Sequence, residues 1–565
     1  MKLKLFLFAF AAIALLFGVS ASAQSIAITN ARIVTVSGDT IEKGTVVVRD
    51  GLIESVGANA KIPADAQTID ATGLTVYPGF IDAMTSLGLQ APPAPTPGAG
   101  GRGGGGGAAA AAAAAATAPA SNSNYPLGLR PELVTAEDLR AGETQFDTNR
   151  NAGFTTVVTV GRTGIFNGQS AIINLAGDSV SSMVVKSPFA EHISFATIPG
   201  QFPGSLLGTF AALRQMLLDA QRQQEIQKMY AANPKGMKRP EADKSLEALI
   251  PILNRQVPVV INANSQREII RAIDLAKEFN LKAIIAGGQE AWKVADRLKA
   301  AEIPVLLSLN FPKRTTSSSP EADPESLEVL RFRAETPKGA GRLAQAGVKF
   351  AFESGNLTSI ADFFTNAGKA VEGGLSKDAA VRAMTLGSAE VLGVSDRLGS
   401  IEPGKIANLT VIKGDIFGRD KFAPYVLIDG KIFEQKEPPP TGRQGGAGGG
   451  RFRGNAPNGG ETAPAGPNVA GSYSITIQVP DQTLAGTLTF VQQGSTLTGS
   501  LVTDLGTSQI RDGKVSADGF SFGSTVIYGG TSIDISVRGS VNGNQISGTI
   551  DSPQGAVPFS GTKNP

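Results

Sequence analysis

Cysteine is absent from the 565 residues, and histidine and tryptophan occur once each. Without thiols the chain can form no disulfide, thiolate nucleophile, Fe–S cluster or zinc finger. A single histidine, His192, caps what any metallohydrolase or histidine-dependent mechanism could do. An excess of one charge is also missing: 51 Lys and Arg face 49 Asp and Glu. That balance removes the electrostatic footprint of a dedicated nucleic-acid or acidic-lipid binder. What the chain does have is 41% hydrophobic residues, enough for a substantial core. Its length predicts about two to four domains.

One long apolar run exists, Leu5 to Val19, preceded by Lys2 and Lys4 and followed by Ala21-Ser22-Ala23. A positive start, a short apolar stretch and small residues at a cleavage point predict a secretory signal peptide over 1–23. The run is too short and wrongly flanked for a spanning helix. The mature chain is therefore expected to be exported, periplasmic or extracellular, with no transmembrane segment. Two low-complexity tracts divide the rest. Residues 91–121 are a Pro/Gly/Ala insert, and 437–467 form a Gly/Pro-rich linker. They leave a body of about 24–436 and a tail domain, 468–565.

The body opens with β-rich segments at Ser25–Val36, Gly44–Arg49 and Leu52–Val56, with Asp50-Gly51 as a hairpin turn. Gly73 to Asp82 reads as one strand entering another layer. Strands and amphipathic helices then alternate: strands at Phe154–Val160, Val257–Asn262, Leu281–Ala286, Ile303–Leu309 and Val348–Phe352, and helices at Gln266–Phe279, Glu290–Ala300 and Lys377–Leu392. Such alternation predicts a parallel sheet with its helices outside, open or closed into a barrel. Eight strands would require two more, for which Ala171–Leu175 and His192–Ile198 are the candidates.

ITNARIVTVSGDTIEKGTVVVRDGLIESVG followed by IDATGLTVYPGFIDA resembles the N-terminus of the amidohydrolase superfamily, and LGSAEVLGVSDRLGSIEPGKIANLTVIKGD resembles its C-terminal signature. The segment from Val257 to Leu307 is similar to the imidazolonepropionase-like branch. The resemblance implies a (β/α)8 barrel over 76–397, with its site at the C-terminal ends of the strands. It also implies a small β-sandwich assembled from 24–75 and 398–436. Active relatives would hold zinc or another divalent metal and hydrolyse C–N bonds.

The departures fall on the ligands. The His-x-His pair expected after the Pro-Gly-x-Ile-Asp run lands on Met84 and Ser86, and the two later histidines land on Asn262 and Gly287. The catalytic Asp lands on Gly355, beside Glu353 and Ser354. Hydrolytic metals need three or four anionic or imidazole ligands at about 2.0–2.3 Å, and thioether, hydroxyl and amide groups are poor substitutes. The expectation is no cofactor and no catalytic residue. Asp82, Asn262, Glu353, Ser354 and Asn356 remain as a pocket, and His192 is a partly buried structural residue. A carboxylate site for Mg2+ or Ca2+ built on Asp82 and Glu353 stays open as an alternative.

In the tail, short alternating runs punctuated by Asp-Gly and Asn-Gly predict an antiparallel meander, closed as a small barrel or folded as a sandwich. Its aromatics, Tyr473, Phe490, Phe520, Phe522, Tyr528 and Phe559, read as core. Three functions are open. The body is a non-catalytic binding or partner subunit, working with an active homologue or a second copy of itself. Alternatively it hydrolyses C–N bonds with atypical ligands, or the chain is a surface protein acting through its tail. Signal cleavage after Ala23 should leave Gln24 as the mature N-terminus. Intact-mass measurement on exported protein checks this, and a retained Met1–Ala23 segment would refute it.

Overall fold

The computed structural model describes residues 25–89, 125–437 and 469–564, apart from positions 127, 143, 162–163, 197–201, 315–324, 356, 358 and 419 and six two-residue turns after 479. The expected signal peptide, the 91–121 insert and nearly all of the 437–467 linker lie outside the described residues. No helix among the described residues is long and apolar enough to cross a membrane. The chain folds as two units, Met1–Thr441 and Gly442–Pro565.

The first unit begins with strands β1 (Ser25–Ile33), β2 (Ile41–Arg49) and β3 (Leu52–Gly57). Asp50 and Gly51 both take positive φ, 52° and 79°, which a two-residue hairpin turn with the right twist requires. Strands β4 (Gln67–Asp70) and β5 (Thr75–Pro78) then pair parallel with β1.

Where one strand was expected from Gly73 to Asp82, the chain forms two: β5 ends at Pro78, and β6 (Phe80–Thr85) starts the barrel. Gly79 makes the break. Its N–H donates to the Asn408 carbonyl at 2.8 Å, and a Cβ there would sit 2.1 Å from Thr155 Oγ1.

The barrel continues through β7 (Phe154–Thr159), β8 (Phe166–Gln169), β9 (Ala171–Asn174), β10 (Val184–Lys186), β11 (Glu191–Ser194), β12 (Val259–Ala263), β13 (Ala283–Gly287), β14 (Val305–Ser308) and β15 (Phe350–Glu353). Strands β11 to β15 pair in parallel, β6 pairs parallel with β7, and β15 lies beside β6 to complete the ring. The interior is apolar, with Val158, Ile172, Val260, Ala286, Leu306 and Ala351 packed together.

Both candidate strands in 162–255 are present, but one runs the wrong way for a fully parallel barrel. Strands β8 and β9 form one bent stave, antiparallel to β11 through β8 and to β7 through β9. The reason is connection length. Only Val160 to Ile165 joins β7 to β8, whereas a parallel crossover takes about a dozen residues. The stave bends at Ser170, whose N–H donates to Ala190 O at 2.9 Å and whose carbonyl accepts from Phe189 at 2.8 Å.

Outside the ring, the helix Gln266–Glu278 is fixed by a capping box between Ser265 and Glu268 and buries Ile269, Ala272, Ile273 and Ala276. The single helix expected over 377–392 is two, Lys377–Ala383 and Leu386–Leu392. The interruption frees the Met384 carbonyl to accept from Ile81 N–H at 2.8 Å, tying the helix layer to β6. Glu290–Ala300 likewise divides into a 3-10 turn, Ala291–Val294, and a helix, Ala295–Ala300.

The chain then returns to its first sheet. Strands β16 (Leu409–Lys413), β17 (Phe422–Ile428) and β18 (Lys431–Glu434) join it through β16, which pairs antiparallel with β5. The result is one eight-stranded sheet built from both ends of the unit. It is wrapped about a core that includes Ile26, Val46, Val76, Leu409, Val411 and Leu427.

The second unit contains β19 (Gly471–Val479), β20 (Gln482–Gln493), β21 (Thr496–Thr503), β22 (Gly506–Gln509), β23 (Arg511–Ser516), β24 (Gly519–Tyr528), β25 (Thr531–Asn542), β26 (Gln545–Ser552) and β27 (Gly555–Lys563). All pairings are antiparallel, and β20 meets β21 to close an eight-stranded ring with β22 appended to β21. Tyr473, Phe490, Phe520, Phe522 and Phe559 are buried inside it. The barrel, not the sandwich, is therefore the form the meander takes.

Replacing Gly79 with Ala should force Thr155 aside and lower the stability of the first unit by about 1–3 kcal/mol. Denaturant unfolding of the variant checks this.

Candidate functional site

At the C-terminal ends of the staves lies a cavity of about 300 Å³. Met84, Asn262, Gly287, Glu353 and Gly355 all line it, so the fold gathers residues up to 271 positions apart at one mouth. Ser86 is not among the lining residues. Strand β6 carries a register irregularity between Asp82 and Thr85, and the neighbours Met84 and Thr85 both reach the cavity. That irregularity breaks the i, i+2 alternation by which Ser86 would have shared a face with Met84.

Asp82 is fully buried and stands behind the wall. Its Oδ1 accepts from the backbone N–H of Met84 at 3.3 Å and of Ser354 at 2.9 Å. It ties the first stave to the end of the last, and Ser354 serves as its donor there. Asn356 lies outside the described residues.

The two glycines at ligand positions are shaped by their surroundings. Gly287 has φ +85°, and a Cβ there would meet Asn264 Oδ1 at 2.3 Å; Gly355 has φ +57°, with Ser308 Oγ at 2.8 Å from a Cβ. Left-handed backbone and close neighbours together exclude a larger side chain without local rearrangement.

Among the described residues, no three His, Asp or Glu side chains gather in a way that could hold a metal ion. The side chains at the mouth are instead carboxamides and hydroxyls. Asn167, Ser194, Asn264, Gln289, Ser308 and Asn310 line the cavity and were not singled out from sequence. Ser194, Asn264, Gln289, Ser308 and Asn310 sit at or just beyond the C-terminal end of a stave, which was the available signal, and Asn167 sits near the start of the reversed one. Their backbone anchors are specific. Ser308 Oγ accepts from Asn310 N–H at 3.2 Å, Ser194 Oγ accepts from Ala196 N–H at 3.1 Å, and Gln289 Nε2 donates to Asn310 O at 2.8 Å.

His192 is completely buried on β11, with Nε2 2.9 Å from Ser170 Oγ. Burial pushes its pKa down to about 3, so it is neutral across the physiological range. Its neighbour Glu191 is also completely buried. Burial raises its pKa well above the usual carboxylate range, nearby Glu132 adds to the rise, and the Gly168 backbone N–H opposes it.

These shifts act on stability with opposite signs. The Glu191 contribution is full below the unfolded value of 4.5 and is lost as pH rises toward its folded pKa. The His192 contribution is full above 6.5 and is lost as pH falls toward 3. Glu191→Gln should therefore stabilise the protein more at pH 7 than at pH 4.5. Unfolding midpoints across that interval test it, and parallel pH profiles for variant and parent would refute it.

The amidohydrolase family model matches residues 327–438. An amidohydrolase structure from Thermotoga maritima MSB8 is similar at 25% identity and a TM-score of 0.59, covering 73% of this chain and all of that one. A beta-aspartyl dipeptidase from Fervidobacterium islandicum AW-1, in complex with beta-Asp-Leu dipeptide, is 13% identical with a TM-score of 0.38, covering 74% of this chain and 97% of that one. No curated protein sequence matches the chain.

Proposed function

We propose that this chain, which belongs to the amidohydrolase superfamily, has kept the barrel without the hydrolytic metal site and acts as an exported, non-catalytic binding or partner subunit. The observation that carries the reading is the donor set at the mouth. Where the family's ligands would stand there are a thioether, a carboxamide and two left-handed glycines, with Glu353 as the only lining carboxylate among the described residues. A hydrolytic metal brings bound water to a pKa of about 7, which requires several anionic or imidazole ligands around one open position. These residues do not fit that requirement. The sole imidazole, His192, is held inside the protein against Ser170.

What the residues at the mouth can do is bind and orient. Asp82 fixes the ends of the first and last staves, and the carboxamides and hydroxyls offer directional hydrogen bonds to a small molecule. The fold draws stability from packed staves and from the aromatic cluster of Phe80, Phe154, Phe363 and Phe364. Export follows from the N-terminal signal pattern, and the partner is an active homologue or a second copy of the chain.

Treatment of the purified protein with EDTA should leave its thermal unfolding midpoint unchanged. Amides, lactams and dipeptides should not be turned over even with added Zn2+ or Mn2+. Near-stoichiometric metal in the purified protein, together with such turnover, would overturn the reading.

A further inference from the structure

We infer that the mouth cavity is a binding site for a small neutral polyol, a monosaccharide or sugar alcohol; this rests on the non-catalytic reading above and names what the mouth holds. Five carboxamides line the cavity, those of Asn167, Asn262, Asn264, Gln289 and Asn310. A carboxamide presents a donor and an acceptor side by side, and each hydroxyl of a polyol is likewise both. Among the described residues the side chains of Asn262, Asn264 and Asn310 form no hydrogen bond within the protein, which leaves that capacity for a ligand. Ser194 and Ser308 accept from backbone N–H groups, so their hydroxyl protons remain available to point at a ligand oxygen.

Charge narrows the class. Among the described residues, Glu353 is the only charged residue lining the cavity, and no Lys or Arg lines it to hold a phosphate or carboxylate. A carboxyl oxygen can accept from a polyol hydroxyl. An ammonium group could pair with Glu353 but is itself no acceptor, so carboxamide N–H groups facing it would go unmatched. Among the described residues, the lining has no aromatic ring to hold a quaternary ammonium. Met84 and Val160 supply an apolar patch for the C–H face of a sugar ring. The cavity of about 300 Å³ lies at the small end of the range for ligand pockets, which suits one small molecule and not a chain.

Titration calorimetry on the full exported chain tests this with D-glucose, D-galactose, myo-inositol and D-mannitol as probes, and ethanolamine and acetate as charged counterparts. At least one polyol should bind with one site per chain, and neither charged compound should. Glu353→Gln and Asn262→Ala should each weaken that binding by about tenfold or more. Asn262 is half-buried, so its variant keeps the test readable if Glu353→Gln misfolds. Failure of all four polyols to bind, tighter binding of ethanolamine, or indifference to both substitutions would overturn the inference. Metal-dependent amide turnover by the unmodified protein would instead remove the non-catalytic reading beneath it. Absence of both turnover and polyol binding removes this inference alone.

Discussion

Closing a ring of staves requires the last to meet the first, and here that junction rests on the buried side chain of Asp82. One of its oxygens accepts from Met84 on its own strand and from Ser354, 272 residues later, at the end of the last stave. A carboxylate that accepts two backbone N–H groups is held in one geometry, and that geometry sets where the neighbouring backbone lies. Met84 and Glu353, which flank the junction, both line the cavity, and Ile81 beside Asp82 is tied to the helix layer through Met384. Seam, mouth and helix layer are thus positioned from one buried group.

Much of this architecture was legible in the sequence because its signals are local. The Asp50-Gly51 turn, the amphipathic Gln266–Phe279 helix and the alternating strands of the second unit each specify their own backbone within a few residues. The misreadings have causes that are not local. Ala171–Leu175 announces a strand by its apolar run, but its direction follows from the brevity of the chain before it. Lys377–Leu392 keeps helical periodicity throughout, and the break at Met384 is stabilised by a donor from β6. Gly79 resembles any strand glycine until Thr155, 76 residues away, is brought against it.

The site was legible in the same partial way. Motif register placed Met84, Asn262, Gly287 and Gly355 at strand ends, and the fold collects them at one cavity. The same register placed Ser86 beside Met84, which the irregularity in β6 prevents. Asn264, Gln289 and Asn310 were passed over because isolated polar residues after a strand look like ordinary turn residues. The left-handed conformations of Gly287 and Gly355 and the neighbours that enforce them depend on tertiary contacts, which no motif records.

The reversed third stave has a consequence for the barrel's two ends. In a uniformly parallel ring every stave delivers its exit loop to the same end. Here β8 begins at the end where β7 finishes, and the following connection, from β9 to β11, starts at the opposite end. The segment that leaves the first stave edges that part of the ring: Gly128 O accepts from the N–H groups of Ile165 and Phe166, and Leu133 O from that of Gln169, so the reversed stave is bordered by chain belonging to β6 and not by an exit loop of its own.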